Sequence, residues 1–182
     1  MVDLLESLRS HVPSQGEESR DLARIISFVE SHPEPFARSI REGHLTGSAV
    51  VVSADGSRVL LLFHKKLSRW LQPGGHGDPG ETRGEEVALR EALEETGIAG
   101  LALHASAPRP LDVDVHEIPA RGDEPAHQHL DLRYLFVAPA DATLQRAALE
   151  SSDLRWFGWD EAAALGLDAG LTRLLRKARA AL

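Results

Sequence analysis

Residues 74–98 read GGHGDPGETRGEEVALREALEETGI, and no other part of the chain restricts its fold as strongly. Positions i, i+3 and i+4 share one face of an α-helix, so a helix here places Glu91, Glu94 and Glu95 on the same face. We expect no basic residue on that face to offset the three like charges. A divalent cation held by carboxylate oxygens is the simplest explanation, and a solvated acidic helix face is the alternative.

The other side of this helix is suited to pack on a hydrophobic core. It carries Leu89, Ala92, Leu93 and Thr96. Gly97 follows at a position where glycine commonly ends a helix. We therefore expect a helix that is anchored by its apolar side, with its carboxylates facing a site.

This segment resembles a Nudix box, whose pattern is Gly, five residues, Glu, seven residues, then Arg-Glu-apolar-x-Glu-Glu-x-Gly-apolar. The matching residues are Gly75, Glu81, Arg90, Glu91, Ala92, Glu94, Glu95, Gly97 and Ile98. Eight residues instead of seven separate Glu81 from Arg90, and we place the extra one in residues 82–84, before the helix. The insertion bears on the contact between Glu81 and Arg90, which helps to orient the helix in this family.

The resemblance implies an α/β fold with a mixed β-sheet between helices, and it covers roughly residues 44–178. It also implies a Mg²⁺ or Mn²⁺ cofactor. Its metal ligands would be Glu91, Glu94, Glu95 and the carbonyl of Gly75. By the same resemblance the catalytic residues include Arg90, which orients the site through an ion pair, and Glu94 and Glu95.

The box leaves the catalytic base open, because in this family the base is a box glutamate or an acidic residue on a distant loop. The loop candidates are Glu117, Asp123, Glu124, Glu150 and Asp153. Glu124 is favoured, since it lies on a loop that contains glycine and proline. An ordinary exposed glutamate is the alternative for this position.

Two further segments alternate polar and apolar residues with the period of a β-strand. If residues 111–118 and 127–134 pair as a hairpin, one face collects Asp112, Asp114, His116, His127, His129, Asp131 and Arg133. We assign substrate binding to Asp114, His116, His127, His129 and Asp131. The alternatives are a solvated hairpin face and a separate metal site.

His76 follows the two glycines directly and is a further candidate for substrate binding. Its position beside the expected metal places it close to the phosphates of a bound substrate. A structural hydrogen bond is the alternative role for this histidine.

The rest of the chain predicts two parts, a helical extension at residues 1–43 and the catalytic domain at 44–182. In the extension, apolar stripes at helical spacing comprise Leu4, Leu5, Leu8 and Val12, and then Leu22, Ile25, Ile26 and Val29. In the domain, strands are expected at residues 49–52, 59–63, 99–105, 111–118, 129–137 and 154–158, and a helix at 160–182. The apolar stripes of the extension suit packing on the domain, a lid or a homodimer interface.

Composition restricts the function further. The formal net charge is −8, which argues against sequence-independent nucleic-acid binding, because that needs a basic surface. The absence of cysteine excludes a disulfide framework, a thiolate zinc site and a cysteine nucleophile. With no apolar run of about 18 residues and no basic-then-apolar leader, we expect no membrane span and a cytoplasmic location.

The favoured function is metal-dependent hydrolysis of a diphosphate bond in a nucleoside diphosphate linked to another moiety. A nucleotide sugar is the first expectation for this small phosphorylated substrate, since a polar hairpin face is suited to bind hydroxyl groups. A diphosphate isomerase of the same superfamily is a second class, but that reaction generally calls for an active-site cysteine. The third class is a non-catalytic nucleotide-sensing module, in which box glutamates are often lost.

Overall fold

The computed structural model describes residues 2–14, 16–122, 125–145 and 151–182. Its helices are α1 (Val2–Arg9), α2 (Glu17–Ser31), α3 (Gly84–Thr96), α4 (Trp159–Ala163) and α5 (Ala169–Ala181). Its strands are β1 (Gly43–Val52), β2 (Arg58–His64), β3 (Arg69–Leu71), β4 (Gly74–His76), β5 (Ala102–Leu103), β6 (Asp112–Ile118), β7 (His127–Val137) and β8 (Ser151–Gly158). No helix within these ranges is both long and apolar enough to cross a membrane.

Strand β1 lies at the centre of a mixed sheet. It runs parallel to β7 over its whole length and antiparallel to β2 and β4. Strands β5 and β6 pair with β7, while β3 and β8 pair with β2. Because β1 carries alternate residues to opposite faces, it contributes side chains to both layers of the protein.

Helices cover both faces of this sheet, as the sequence predicts. Leu45, Ala49 and Val51 of β1 pack in one core cluster with α1, α2 and α3. Val50 and Val52 pack in a second cluster with α5. The mixed sheet between helices is thereby confirmed.

The turn between β1 and β2 joins the strands predicted at residues 49–52 and 59–63 as an antiparallel hairpin. The Asp55 carboxylate accepts hydrogen bonds from the Ser53 hydroxyl at 2.6 Å and from the Ser57 main-chain N–H at 3.0 Å. Gly56 takes a positive φ of 70°, which glycine adopts without steric cost. By contrast, the strand predicted at residues 99–105 is only two residues long, β5, and Gly100 in the predicted range takes a positive φ of 78°.

The N-terminal helices pack on the sheet through their apolar stripes. Leu8 and Ile25 are fully buried, and Val29 is nearly so. Val12 departs from the prediction, since it lies beyond the end of α1 and is 83% exposed. The structure therefore shows these stripes packed on the domain. The homodimer stays a prediction.

A buried polar network connects α2 to the C-terminal helix. The Glu18 carboxylate is fully buried and accepts a hydrogen bond from Lys177 of α5 at 2.5 Å. It also contacts the His11 ring at 2.8 Å and accepts a hydrogen bond from the Ser14 main-chain N–H at 2.6 Å. Burial by itself raises the pKa of Glu18, but these hydrogen bonds and the charge of Lys177 hold the pKa below its ordinary value.

Replacing Glu18 by Gln should lower the free energy of unfolding near neutral pH by about 3 kcal/mol, because Lys177 and His11 lose a buried anionic partner. Since the pKa of Glu18 is lower in the folded than in the unfolded chain, this stabilisation is present above pH 4.5 and is lost as the pH falls. Urea unfolding near neutral pH and in acid measures both effects. Glu17→Gln, at the exposed neighbouring position, is the matched control; equal stability of the two variants would contradict the assignment.

Candidate functional site

The box helix α3 begins one residue earlier than the sequence predicts. Residues 81–83 are irregular, and the helix begins at Gly84. A Cβ atom on Gly47 of β1 would lie 2.7 Å from the Gly84 carbonyl oxygen, so only a glycine allows α3 to lie this close to the sheet. Gly97 ends the helix in the left-handed conformation, and its N–H donates to the Leu93 carbonyl at 2.9 Å.

Arg90 connects the helix to the segment that precedes it. Its Nε and Nη2 atoms donate to the two carboxylate oxygens of Glu81 at 3.1 and 2.9 Å. Nη2 also donates to the His76 carbonyl at 2.7 Å. The contact between Glu81 and Arg90 therefore forms despite the extra residue, and the hydrogen bond from Arg90 lowers the pKa of Glu81.

The three box carboxylates lie in different surroundings. Glu95 is 8% exposed, and its Oε2 atom accepts a hydrogen bond from the Gly74 main-chain N–H at 2.9 Å. Glu91 accepts from Arg90 at 2.9 Å, while Glu94 is largely exposed and lies 3.5 Å from the same guanidinium. Arg90 thus offsets the acidic charge of this helix, which corrects the expectation that no basic residue does so.

The donor set fits a hard divalent cation. The Glu91 carboxylate lies against the backbone of β4, since a Cβ atom on Gly75 would come within 2.6 Å of the carboxyl carbon. Carboxylate and main-chain carbonyl oxygens are ligands that Mg²⁺ and Mn²⁺ prefer. The residues present at this end of α3 are therefore chemically suited to hold such an ion.

The apolar side of α3 differs from the prediction at one position. Val87, Ala88 and Ala92 are fully buried, whereas Leu93 is 38% exposed. The helix is turned so that Glu95 and Thr96 face inward. This orientation brings the Glu95 carboxylate to β4 and leaves Leu93 at the surface.

The two segments of alternating polar residues, β6 and β7, pair antiparallel in the structure. His116 of β6 lies opposite His129 of β7, and Asp114 lies opposite Asp131. Because directly paired residues share one face of a sheet, these side chains lie on the same side. Strand β1 adds His44 beside His129 on this face.

The histidines on this face form a compact cluster. The His44 ring centre lies 5.0 Å from those of His76 and His129 and 5.1 Å from that of His127. The Nε2 atoms of His76 and His129 are 3.1 Å apart. In residues 2–14, 16–122, 125–145 and 151–182, His44, His127 and His129 are the group of three whose ligand atoms all lie within 4.8 Å of one another.

Burial keeps two of these imidazoles neutral near neutral pH. His44 is 2% exposed, and burial, followed by the nearby His76 and His127, lowers its pKa to about 4. Burial is also the main reason that the pKa of His129 falls to about 2. These rings therefore present lone pairs rather than positive charge to a ligand.

The acidic residues of the hairpin face are engaged within the protein. Asp131 is 2% exposed and accepts hydrogen bonds from Thr46 at 2.9 Å and from Arg133 at 2.9 Å. Asp114 pairs with Arg133 at 2.9 Å and with Arg173 of α5 at 3.1 Å. The burial and partners of Asp131 favour a role in fixing neighbouring strands over direct substrate contact.

Burial of Asp114 by itself would raise its pKa. The hydrogen bond from His116 and the charge of Arg133 instead hold the pKa below its ordinary value. Asp114 therefore stays ionised, and its charge is balanced by arginines within the fold.

His44 is the member of the cluster that the sequence patterns did not identify. Its signal is weak but present, because His44, Thr46 and Ser48 alternate with other residues in the same period of two. Alternation within one strand cannot show that β1 lies beside β7, because that pairing joins residues far apart in the sequence. Arg173 was missed for the same reason, since it reaches the hairpin from α5.

The favoured catalytic base, Glu124, lies outside the described residues, as do Asp123 and Glu150. Glu117 is exposed, and its place next to His116 in β6 puts it on the opposite face of the strand. Asp153 pairs with Arg155 at 3.3 Å.

A mixed sheet between helices, with an acidic helix held over a glycine strand, is the arrangement expected of a Nudix domain. The model of the NUDIX domain family matches residues 43–178. The chain therefore belongs to the NUDIX family.

Individual relatives agree with this assignment. A protein of Bacillus subtilis (strain 168) named "Putative 8-oxo-dGTP diphosphatase" is 34% identical over 110 residues, which cover 60% of this chain and 64% of the relative. The MutT NUDIX hydrolase of Burkholderia pseudomallei is 25% identical with a TM-score of 0.56, covering 75% of this chain and 98% of that one. The Ap4A hydrolase of C. elegans is 23% identical with a TM-score of 0.53, covers 75% and 95%, and shows the fold alone.

Replacing Arg90 by Lys should lower the free energy of unfolding by about 2 kcal/mol, because an ammonium group cannot make the paired contacts to Glu81 and the His76 carbonyl. Urea denaturation measures the change. The control is Arg83→Lys, which alters an exposed arginine that pairs with Glu85 and Glu86. The role assigned to Arg90 is wrong if both variants retain wild-type stability.

Proposed function

We propose that the chain is a metal-dependent hydrolase that cleaves a diphosphate bond in a nucleoside diphosphate linked to another moiety. One observation carries the proposal. Arg90 binds Glu81, Glu91 and the His76 carbonyl together, and the Glu91 carboxylate lies against the glycine strand β4. Several carboxylate oxygens suited to a hard cation thus lie close together. The glycine backbone of β4 beside them carries no side chains that would keep a substrate away.

Glu91, Glu94, Glu95 and the carbonyl of Gly75 are the groups that would hold Mg²⁺ or Mn²⁺. When bound, such an ion neutralises the charge of the phosphates and lowers the pKa of a water molecule. Glu95 is held by the Gly74 N–H, and Glu91 is oriented by Arg90. The exposed Glu94 is the carboxylate of the three with the greatest access to solvent and substrate.

The substrate face would be the histidine side of the hairpin. His76 joins this face to the box, since its carbonyl accepts from Arg90 and its ring contacts His129. His116 is exposed and stays available to contact a ligand. Asp114 and Asp131 would act by positioning, through their arginine and hydroxyl partners.

A nucleotide sugar remains the first proposal for the substrate. The polar hairpin face, with its histidines and carboxylates on paired strands, supplies donors and acceptors for hydroxyl groups. The name of the Bacillus subtilis relative supports a second candidate, an 8-oxo nucleoside triphosphate. Both substrates contain a phosphoric anhydride, so the same carboxylates would serve either reaction.

A substrate panel with Mg²⁺ and Mn²⁺ tests the reaction and its substrate together. Nucleotide sugars, 8-oxo-dGTP and dinucleoside polyphosphates would be compared by phosphate release after coupled phosphatase treatment. Glu95→Gln should lower kcat/KM by roughly 10²–10³-fold through loss of an electrostatic stabiliser. The matched control is Glu86→Gln, on the same helix but exposed and paired with Arg83. Full activity of Glu95→Gln would refute the metal assignment, and silence of the wild type across the panel would favour the sensing module.

Glu124 is proposed as the general base, and the pH dependence of kcat tests this role. Glu124→Gln should lower kcat by roughly 10²–10⁴-fold and remove the acidic limb of the profile, since that limb reports ionisation of the base. Glu94→Gln is measured beside it. If Glu94→Gln removes the limb and Glu124→Gln keeps it, the base is a box glutamate.

A further inference from the structure

We propose that His44, His127 and His129 form a second metal site, chemically separate from the box carboxylates, for a borderline transition-metal ion such as Zn²⁺. The three rings project from two adjacent parallel strands, with His44 of β1 directly opposite His129 of β7. Their ligand atoms all lie within 4.8 Å of one another. Nitrogen ligands on one tetrahedral Zn²⁺ are about 3.4 Å apart, so small side-chain rotations would bring the rings onto a common ion.

The burial of His44 is the second observation. Its ring is 2% exposed, and neither Nδ1 nor Nε2 has a hydrogen-bond partner among the described residues. Buried polar atoms are nearly always satisfied, because leaving them unpaired costs free energy. A bound ion would satisfy one ring nitrogen of His44, for which the described part of the chain provides no hydrogen-bond partner.

The orientation of His127 is the third observation. Its Nδ1 atom lies 3.0 Å from the Pro125 carbonyl oxygen. A carbonyl only accepts, so Nδ1 carries the proton and Nε2 carries the lone pair. Metal-binding histidines commonly donate one ring N–H to a carbonyl in this way, which fixes the ring and directs the other nitrogen at the ion.

The chemistry of the cluster favours a borderline metal over Mg²⁺. Imidazole nitrogen suits Zn²⁺, Co²⁺, Ni²⁺ and Cu²⁺, whereas Mg²⁺ prefers oxygen. The nearby carboxylate of Asp131 is occupied by Thr46, Ser48 and Arg133. His76 offers a fourth ring, with its Nε2 atom 3.1 Å from that of His129.

This site would lie directly beside the proposed hydrolytic site. The His76 carbonyl accepts a hydrogen bond from Arg90, while the His76 ring contacts the cluster. An ion held by the histidines would hold β1 and β7 together. It would also add positive charge to the side of the sheet where a phosphorylated substrate is proposed to bind. The metal site itself does not depend on the proposed reaction.

Cobalt binding tests the proposal without reference to activity. The full chain, stripped with a chelator, would be titrated with Co²⁺ in excess Mg²⁺ and followed by visible absorption. We expect one equivalent to give the intense bands of tetrahedral nitrogen coordination, and Zn²⁺ to displace it. A weak octahedral spectrum, or competition by Mg²⁺, would show binding to carboxylates and overturn the proposal.

Two histidine variants locate the ion. His44→Gln and His127→Gln should each weaken Zn²⁺ binding by at least roughly 100-fold. Loss of a metal ligand should reduce the affinity by more than the roughly 10–100-fold that loss of a residue supporting a ligand costs. His104→Gln is the matched control, because His104 is a partly exposed histidine whose ring hydrogen-bonds to Ser106 in its own turn. Unchanged Zn²⁺ affinity in both cluster variants would refute the site.

Glu95→Gln separates the two sites. This variant should retain the tetrahedral cobalt spectrum, and loss of that spectrum would assign the ion to the box instead. A thermal melt is the second readout: Zn²⁺ should raise the Tm of the wild type and of Glu95→Gln. No rise in Tm for either protein would contradict the site, even if a histidine variant fails to fold.

Discussion

The contacts of Arg90 are the constraint on which the site depends. One planar guanidinium donates two hydrogen bonds to Glu81, one to Glu91 and one to the carbonyl of His76. These groups come from the turn, the helix and the glycine strand, so a single side chain fixes three segments relative to one another. Arginine suits this role because its donors diverge from a rigid plane. The same cation lies within 4 Å of Glu81, Glu91 and Glu94 and so offsets part of the acidic charge around the helix.

Two different ligand chemistries meet on either side of β4. The box provides carboxylates that lie against the backbone of Gly74 and Gly75, and the opposite face of the neighbouring strands provides imidazoles. His76 belongs to both, through its carbonyl and its ring. Hard oxygen and borderline nitrogen ligands select different metals. The proposed hydrolytic site and the proposed histidine site would therefore prefer different metals, although the chain has no cysteine.

Charged side chains buried at the hairpin face are paired with side chains of opposite charge. Asp112 is fully buried and pairs with Arg173 at 2.8 Å, while Arg133 is nearly buried and pairs with Asp131 at 2.9 Å. Buried charges persist only where opposite charges and hydrogen bonds compensate their desolvation. The network ties β6 and β7 to α5, and Glu18 extends it to the N-terminal helix α2. It thus connects the extension, the sheet and the last helix.

The sequence alone determined the box helix, its C-cap at Gly97 and the two polar strands, because helical and strand periods are local properties of the chain. It also predicted that His116, His129, Asp114 and Asp131 share a face. Only the tertiary structure placed His44 beside them and buried Asp131, since both depend on β1 pairing with β7 across more than eighty residues of chain. A period of two shows which residues share a face. It does not show which strand comes next, and here the neighbouring strand completes the histidine cluster.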